Sequence, residues 1–256
     1  MSIAVVPRAV FSVKKEIESY DGPLFIVRPV FSDEKLEVLA DANGELRFRN
    51  NQWNKHTLAQ NAHLIDTWCD QSGAGRHARQ ADKFKQPYLA LTEDGAVTVD
   101  FKYGRFLSLP DGTIPAGNAP FGVMFKHGEI TNPTGGVIGS GVYGSQGATN
   151  AIRRSGNGYV NYFWSNDLHT EQGTYKKGNV VSFFLSAEGR HSAFINGAKD
   201  AFREGVQRYS APTDTTIGKT YGEGEYLNGT LDFLYITEEP APLGVVLQTG
   251  EWNKIY

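Results

Sequence analysis

The chain has 256 residues, 40% of them hydrophobic and 21% charged, with a formal net charge of −3. That length allows a substantial core in one unit, and the weak net charge gives no electrostatic case for nucleic acid or an anionic membrane as partner. A single cysteine, Cys69, excludes an internal disulfide and a Cys₂-type zinc site, and no run approaches the ~20 apolar residues of a spanning helix. Twenty-nine glycines beside 15 Phe, 12 Tyr and 4 Trp point to β structure with many turns.

Taken in order, residues 1–20 carry the best helical pattern. Val10, Val13, Ile17 and Tyr20 fall at helical spacing, with Lys14, Lys15, Glu16 and Glu18 interleaved, so a short N-terminal helix is expected. Leu24 to Val30 reads as a strand, continued by Leu36–Leu39 and Leu46–Phe48 around the turn Asp41-Ala42-Asn43-Gly44. A second helical piece is expected over Lys55–Ala62. Leu64 to Trp68 then enters Cys69-Asp70-Gln71-Ser72-Gly73-Ala74-Gly75-Arg76-His77. Two glycines two residues apart allow backbone with φ > 0, and Asp70 and Ser72 are suited to bond nearby amides. This loop is expected to be scaffold, joining an N-terminal portion to the main sandwich, with Cys69 a buried inert thiol.

From Gln86 onward strand and turn signals recur. Tyr88–Leu91, Val97–Phe101, Phe106–Leu109 and Phe121–Lys126 lead to the glycine-dense segment 131–147. Ala151–Arg154 and Tyr159–Trp164 read as strands across Ser155-Gly156-Asn157-Gly158, and Val180–Ser186 pairs with Ser192–Ile195 across Ala187–Arg190. Asn196-Gly197 is a type I′ hairpin signal. Thr215–Gly218 and Leu231–Ile236 complete the series, and Leu243–Tyr256 is expected to form a short helix. One domain spanning 1–256 is expected, with 1–87 as helix, strands and junction loop and 88–256 as the main sandwich.

Three pieces of the C-terminal half resemble the concanavalin A-like lectin/glucanase superfamily in its laminin-G-like branch. They are Phe163-Trp164-Ser165-Asn166-Asp167-Leu168 with Gly173-Thr174-Tyr175, Val180–Phe184 leading to Ala193–Gly197, and Thr216-Ile217-Gly218 followed by Gly224–Asp232. In the N-terminal half, Val10–Lys14, Tyr20–Pro23, Ile26–Arg28 and Trp68–His77 look like the catalytic domain of α-L-arabinofuranosidase B, a segment that also occurs in phage-encoded structural and fibre proteins. The resemblance implies a two-sheet jelly-roll sandwich. It also implies a nucleophilic carboxylate in a Gly-Asn-Ala-Glu context, where this chain has Gly141-Val142-Tyr143-Gly144-Ser145-Gln146-Gly147. The family's acid/base aspartate falls in a loop that here runs Lys219-Thr220-Tyr221-Gly222-Glu223-Gly224-Glu225. Retaining glycoside hydrolysis needs two carboxyl groups about 5–5.5 Å apart, and only one of the two positions offers one. No catalytic residue is assigned.

Two constellations remain as candidate ligand sites. Trp164, Asn166, Asp167 and His169 have the composition of a sugar site, an aromatic face beside amide and carboxylate groups; the alternative is Trp164 in the core and Asn166-Asp167 as a plain turn. Tyr221, Glu223 and Glu225, with Tyr226, form a second polar-aromatic loop, or else a strand connection. The histidines show no metal-ligand spacing, and Asp70 and Asp232, weighed for calcium, lack the Asp/Asn ladder of a calcium loop. No cofactor is expected.

The expected function is a non-catalytic, lectin-like attachment or structural module of a viral or phage particle, binding cell-surface or polysaccharide glycan and other virion proteins, as a homo-oligomer. A glycoside hydrolase of arabinofuranosidase type and a purely structural virion protein are the alternatives. The N-terminus lacks the apolar core of a secretory signal, so synthesis in a host cytoplasm and a place at the virion surface are expected.

Overall fold

The computed structural model describes residues 7–12, 24–29, 38–40, 46–48, 63–92, 96–209, 213–220 and 224–238. Its strands in chain order are β1 (Pro7–Ser12), β2 (Phe25–Pro29), β3 (Val38–Ala40), β4 (Leu46–Phe48), β5 (His63–Trp68), β6 (Ala78–Arg79), β7 (Tyr88–Leu91), β8 (Val97–Asp100), β9 (Leu107–Ser108), β10 (Phe121–Ile130), β11 (Gly136–Gly141), β12 (Thr149–Ser155), β13 (Gly158–Tyr162), β14 (Leu168–His169), β15 (Val180–Leu185), β16 (His191–Ile195), β17 (Ala198–Arg203), β18 (Thr216–Ile217) and β19 (Gly229–Thr237). All pair antiparallel, and the fold is the all-β sandwich the sequence leads one to expect.

The two sheets fork from β5. Along one edge β5 pairs with β2, which continues to β3 and β4. Along its other edge the strand divides its partners: His63 and Leu64 pair with β7, Thr67 and Trp68 with β6. From β7 the first sheet runs through β8 to β19, then β10, β15, β16 and β17. From β6 the second runs through β9, β18, β11, β12 and β13 to β14. Every register-paired row puts its side chains on one face. Phe121, Val123, Phe125, Phe183 and Leu234 of the first sheet therefore meet Leu107, Ile138, Ile152, Tyr159 and Ile217 of the second in one buried core.

The helix expected near the N-terminus does not form over residues 7–12. Those residues are β1, paired with β19 along Phe233–Thr237. Ala9, Val10, Phe11 and Ser12 are all buried, so both faces of the strand are covered and the period-2 alternation that signals a strand is lost. Residues 13–20, the helical piece over 55–62 and the tail 243–256 lie outside the described residues.

Trp68 stands at the fork. Its indole is fully buried against Phe11, Phe25 and Phe101, with ring centroids 5.6, 5.8 and 6.5 Å away. The loop that follows is held by one carboxylate. Asp70 Oδ1 accepts the backbone N–H of Val10 and of Ser72, each at 2.9 Å, while Oδ2 accepts the Ser72 hydroxyl and the Arg76 N–H, also at 2.9 Å. The Asp70 N–H donates to Nδ1 of His77 at 3.0 Å. Gly73 and Gly75 take φ of 83° and 70°, where a side chain would be strained. Asp70 is thus saturated by donors rather than open to calcium. Asp232 is likewise engaged, accepting the Thr98 hydroxyl at 2.9 Å and lying 3.5 Å from the Lys126 ammonium.

Candidate functional site

The turn between β13 and β14 projects from the second sheet. Strand β13 alternates Tyr159 and Asn161 into the interior with Val160 and Tyr162 on the outer face, where Ala151, Val160 and Tyr162 form a small cluster. Past Tyr162 the chain turns sharply. The Phe163 N–H donates to Asp167 Oδ1 at 2.8 Å, closing the loop through a side chain. Within it Trp164 and Asn166 have φ of 64° and 62°. Asn tolerates that left-handed region, but a tryptophan there is uncommon and costs conformational energy.

The result is an indole held outside the core. Trp164 is 45% exposed and packs edge-on against Tyr143, itself 52% exposed, with centroids 4.9 Å apart and planes at 89°. Of the two arrangements open for Trp164, burial in the core is ruled out. Asn166 and Asp167 do make the turn, yet they also collect polar partners. Arg203 of β17 donates to Asn166 Oδ1 and to the Asp167 carbonyl, each at 3.2 Å. Gln146 Nε2 donates to the Ser165 hydroxyl at 3.2 Å, and Asn166 Nδ2 to the Gln207 carbonyl at 3.4 Å. Backbone bonds lock the neighbouring loops: Gly147 N–H to the Phe163 carbonyl at 2.8 Å and Tyr209 N–H to the Gly147 carbonyl at 2.7 Å. Tyr209, 68% exposed, lies over Gly147. Three loops thus bring three exposed aromatic rings and an amide-rich rim to one surface, the composition that recognises the apolar face and hydroxyl edge of a sugar.

Glu225 arrives at the same end of β13 from a different segment. Gly136 N–H donates to the Glu225 carbonyl at 3.1 Å, and Tyr226 bridges both Gly136 and Lys219, fixing this segment on β11. The carboxylate accepts the Tyr162 hydroxyl at 2.8 Å and the Thr220 hydroxyl, with Arg153 Nη1 at 3.6 Å. Burial, the leading effect, raises the Tyr162 phenol above its ordinary range, so it stays a neutral donor. Glu225 therefore faces a phenol, a hydroxyl and a guanidinium. A glycosidase pair would need a second carboxyl group beside it.

His169 is exposed on β14, on the row of Val160 and Arg153, one register step from the turn. Tyr221 and Glu223 lie outside the described residues. Tyr143, Gln146, Arg203, Gln207 and Tyr209 complete the surface and were not singled out from the sequence. Tyr143 carried one signal, an aromatic beside glycine in a segment too polar to be core. No group of three or more His, Cys, Asp or Glu among the described residues could hold a metal ion.

Among solved structures, the chain is similar to an arabinofuranosidase complexed with arabinofuranosyl-α-1,2-xylobiose, at 14% identity and TM-score 0.63, over 91% of this chain and 59% of that one. It is similar to a GH54 α-L-arabinofuranosidase soaked with a cyclic sulfate inhibitor, at 14% identity and TM-score 0.61, over the same shares of the two chains. The binding domain of Paraclostridial Mosquitocidal Protein 1 follows at 12% identity and TM-score 0.51, over 70% of this chain and 48% of that one. No family model matches the chain. No curated protein matches it either. At such identities the likeness is one of fold. The chain spans 59% of the length of each arabinofuranosidase.

Proposed function

We propose that the protein is a non-catalytic, lectin-like glycan-binding module whose binding surface is the Tyr143–Trp164 platform. The observation that carries the proposal is an edge-on aromatic pair held out of the core on a left-handed tryptophan, ringed by Gln146, Ser165, Asn166 and Arg203. A tryptophan in that conformation is retained at a cost, and sugar stacking gives the exposed ring a use. An attachment role at the surface of a viral or phage particle, in a homo-oligomer, belongs to the same reading. Its support is the sequence resemblance to segments found in phage fibre and structural proteins.

The test is a glycan array run with the full chain and with Trp164→Ala. Specific binding lost at least tenfold in the variant, with unchanged melting temperature, is the expected result. Binding that survives Trp164→Ala overturns the assigned surface, and an array without any specific ligand leaves the purely structural module as the function. Glu225, half-buried and oriented by three partners, is the observation behind the competing reading of a glycosidase. Turnover of an aryl arabinofuranoside that disappears in Glu225→Gln would replace the lectin reading with that one.

A further inference from the structure

Beside Lys219 and Tyr226, two loops form a second surface of different chemistry. One is Asp82-Lys83-Phe84-Lys85, the other Lys102-Tyr103-Gly104-Arg105-Phe106. They are tied together: the Phe106 N–H donates to the Lys85 carbonyl at 3.0 Å, and Arg105 Nη1 donates to the Lys83 carbonyl at 3.3 Å. Arg105 also stacks on the Tyr88 ring at 4.2 Å and receives no carboxylate among the described residues. The Lys219 ammonium lies 4.0 Å over the Phe106 ring, and Tyr226 packs against Gly104.

Two features of this surface are unexplained by folding. Phe84 and Tyr103, at 76% and 81% exposure, are the two most exposed large apolar side chains among the described residues. Around them lie several cations without an ion pair among the described residues. Lys102 is paired with buried Asp100 at 2.8 Å and Lys85 loosely with Asp82 at 3.6 Å, but Lys83, Arg105 and Lys219 have no ion-pair partner among the described residues. Lys219 is held below its ordinary pKa by burial and by the charge of Lys85, with Asp214 opposing. Lys219 and Lys85 repel each other, and an anion placed between them would relieve the repulsion. Exposed rings beside them supply flat apolar area for a ligand with an apolar face.

We propose that this surface is a second binding face, for an anionic polysaccharide, one carrying carboxylate or sulfate groups on sugar rings. The cations Lys83, Lys85, Arg105 and Lys219 take the charged groups, while Phe84 and Tyr103 take the ring faces. A short acidic glycan contacts only this patch; a long nucleic acid would also meet the rest of a chain whose net charge is −3.

Calorimetric titration of the full chain with polygalacturonate oligomers, dextran sulfate, neutral dextran and a single-stranded DNA oligomer tests the proposal. Either or both anionic glycans bind, the pattern identifying carboxylate or sulfate as the recognised group, and affinity falls as salt rises. Neutral dextran does not bind. Lys85→Gln/Lys219→Gln weakens binding at least tenfold, and so does Phe84→Ser/Tyr103→Ser, each with unchanged melting temperature. Trp164→Ala leaves it intact, which separates this face from the Tyr143–Trp164 platform whatever becomes of that site. No anionic glycan bound, DNA bound as tightly as the glycans, or affinity indifferent to both double variants overturns the proposal.

Discussion

A buried carboxylate is costly unless its oxygens are satisfied, and Asp70 meets that condition with four donors. Its partners come from two distant pieces of chain: Ser72 and Arg76 in its own loop, and Val10 on β1. One side chain thus both folds the loop and pins the N-terminal strand beside β19. Asp70→Ala would leave the Val10 and Arg76 amides without their acceptor, so a loss of roughly 3 kcal/mol of stability is expected. Urea unfolding measures that loss, while binding at the proposed Tyr143–Trp164 surface stays unchanged per folded molecule. Loss of ligand at constant stability would instead place this loop in a binding site. The side-chain-braced turn was legible in the sequence because Asp and Ser beside closely spaced glycines are suited to bond nearby amides. The partner on β1 was not, since nothing local marks a contact sixty residues away.

At the scale of elements, hairpins were the most readable feature. Ser155-Gly156-Asn157-Gly158 joins β12 to β13, and Asn196-Gly197 joins β16 to β17 with φ of 47° and 89°, both positive as a type I′ turn requires. Strand β1 was misread because β19 offers it an edge and the core covers both its faces, conditions set by tertiary structure alone. The candidate site was legible only as a turn containing tryptophan. Tyr143 reaches it from the loop between β11 and β12 and Arg203 from β17, and that convergence is a product of the sandwich. The segment carrying Lys219 and Glu225 depends on close backbone approach at Gly136. A Cβ there would press on the Glu225 carbonyl oxygen, at 2.5 Å, and on the Thr220 backbone. Neither neighbour is a flexible side-chain end. Gly136→Ala is therefore expected to destabilise by about 1–3 kcal/mol, read from thermal unfolding, and to disturb Glu225 and Lys219 together. A variant as stable as the parent would mean that this segment is not held against β11.

For the molecule as a whole, three imidazoles among the described residues are fully buried, His63, His127 and His191, and in the last two the neighbours fix the protonation. His127 Nδ1 lies 2.7 Å from the Gly128 carbonyl, which only accepts, so Nδ1 carries the proton and Nε2 accepts the Tyr159 hydroxyl at 2.6 Å. The ring stacks on Tyr175 at 5.4 Å. His191 stacks on Phe163 at 5.2 Å and donates from Nε2 to Asn161 Oδ1 at 3.0 Å, because the Asn161 amide already donates to Asn150 and Ala151. Burial above all lowers the two pKa values, to about 4 for His127 and to about 3 for His191, from 6.5 in the unfolded chain. The unfolded chain therefore takes up protons below pH 6.5 that the folded one refuses. Stability is fully present above that pH and declines towards pH 4 and pH 3 respectively, by up to about 1.4 kcal/mol per pH unit for each imidazole. Urea midpoints measured from pH 7 to pH 4.5 should fall accordingly, and His127→Phe, whatever its stability at pH 7, should fall less steeply by one proton's share. Parallel slopes for the two proteins would mean that His127 is protonated in the folded state and that water reaches the interior between the sheets.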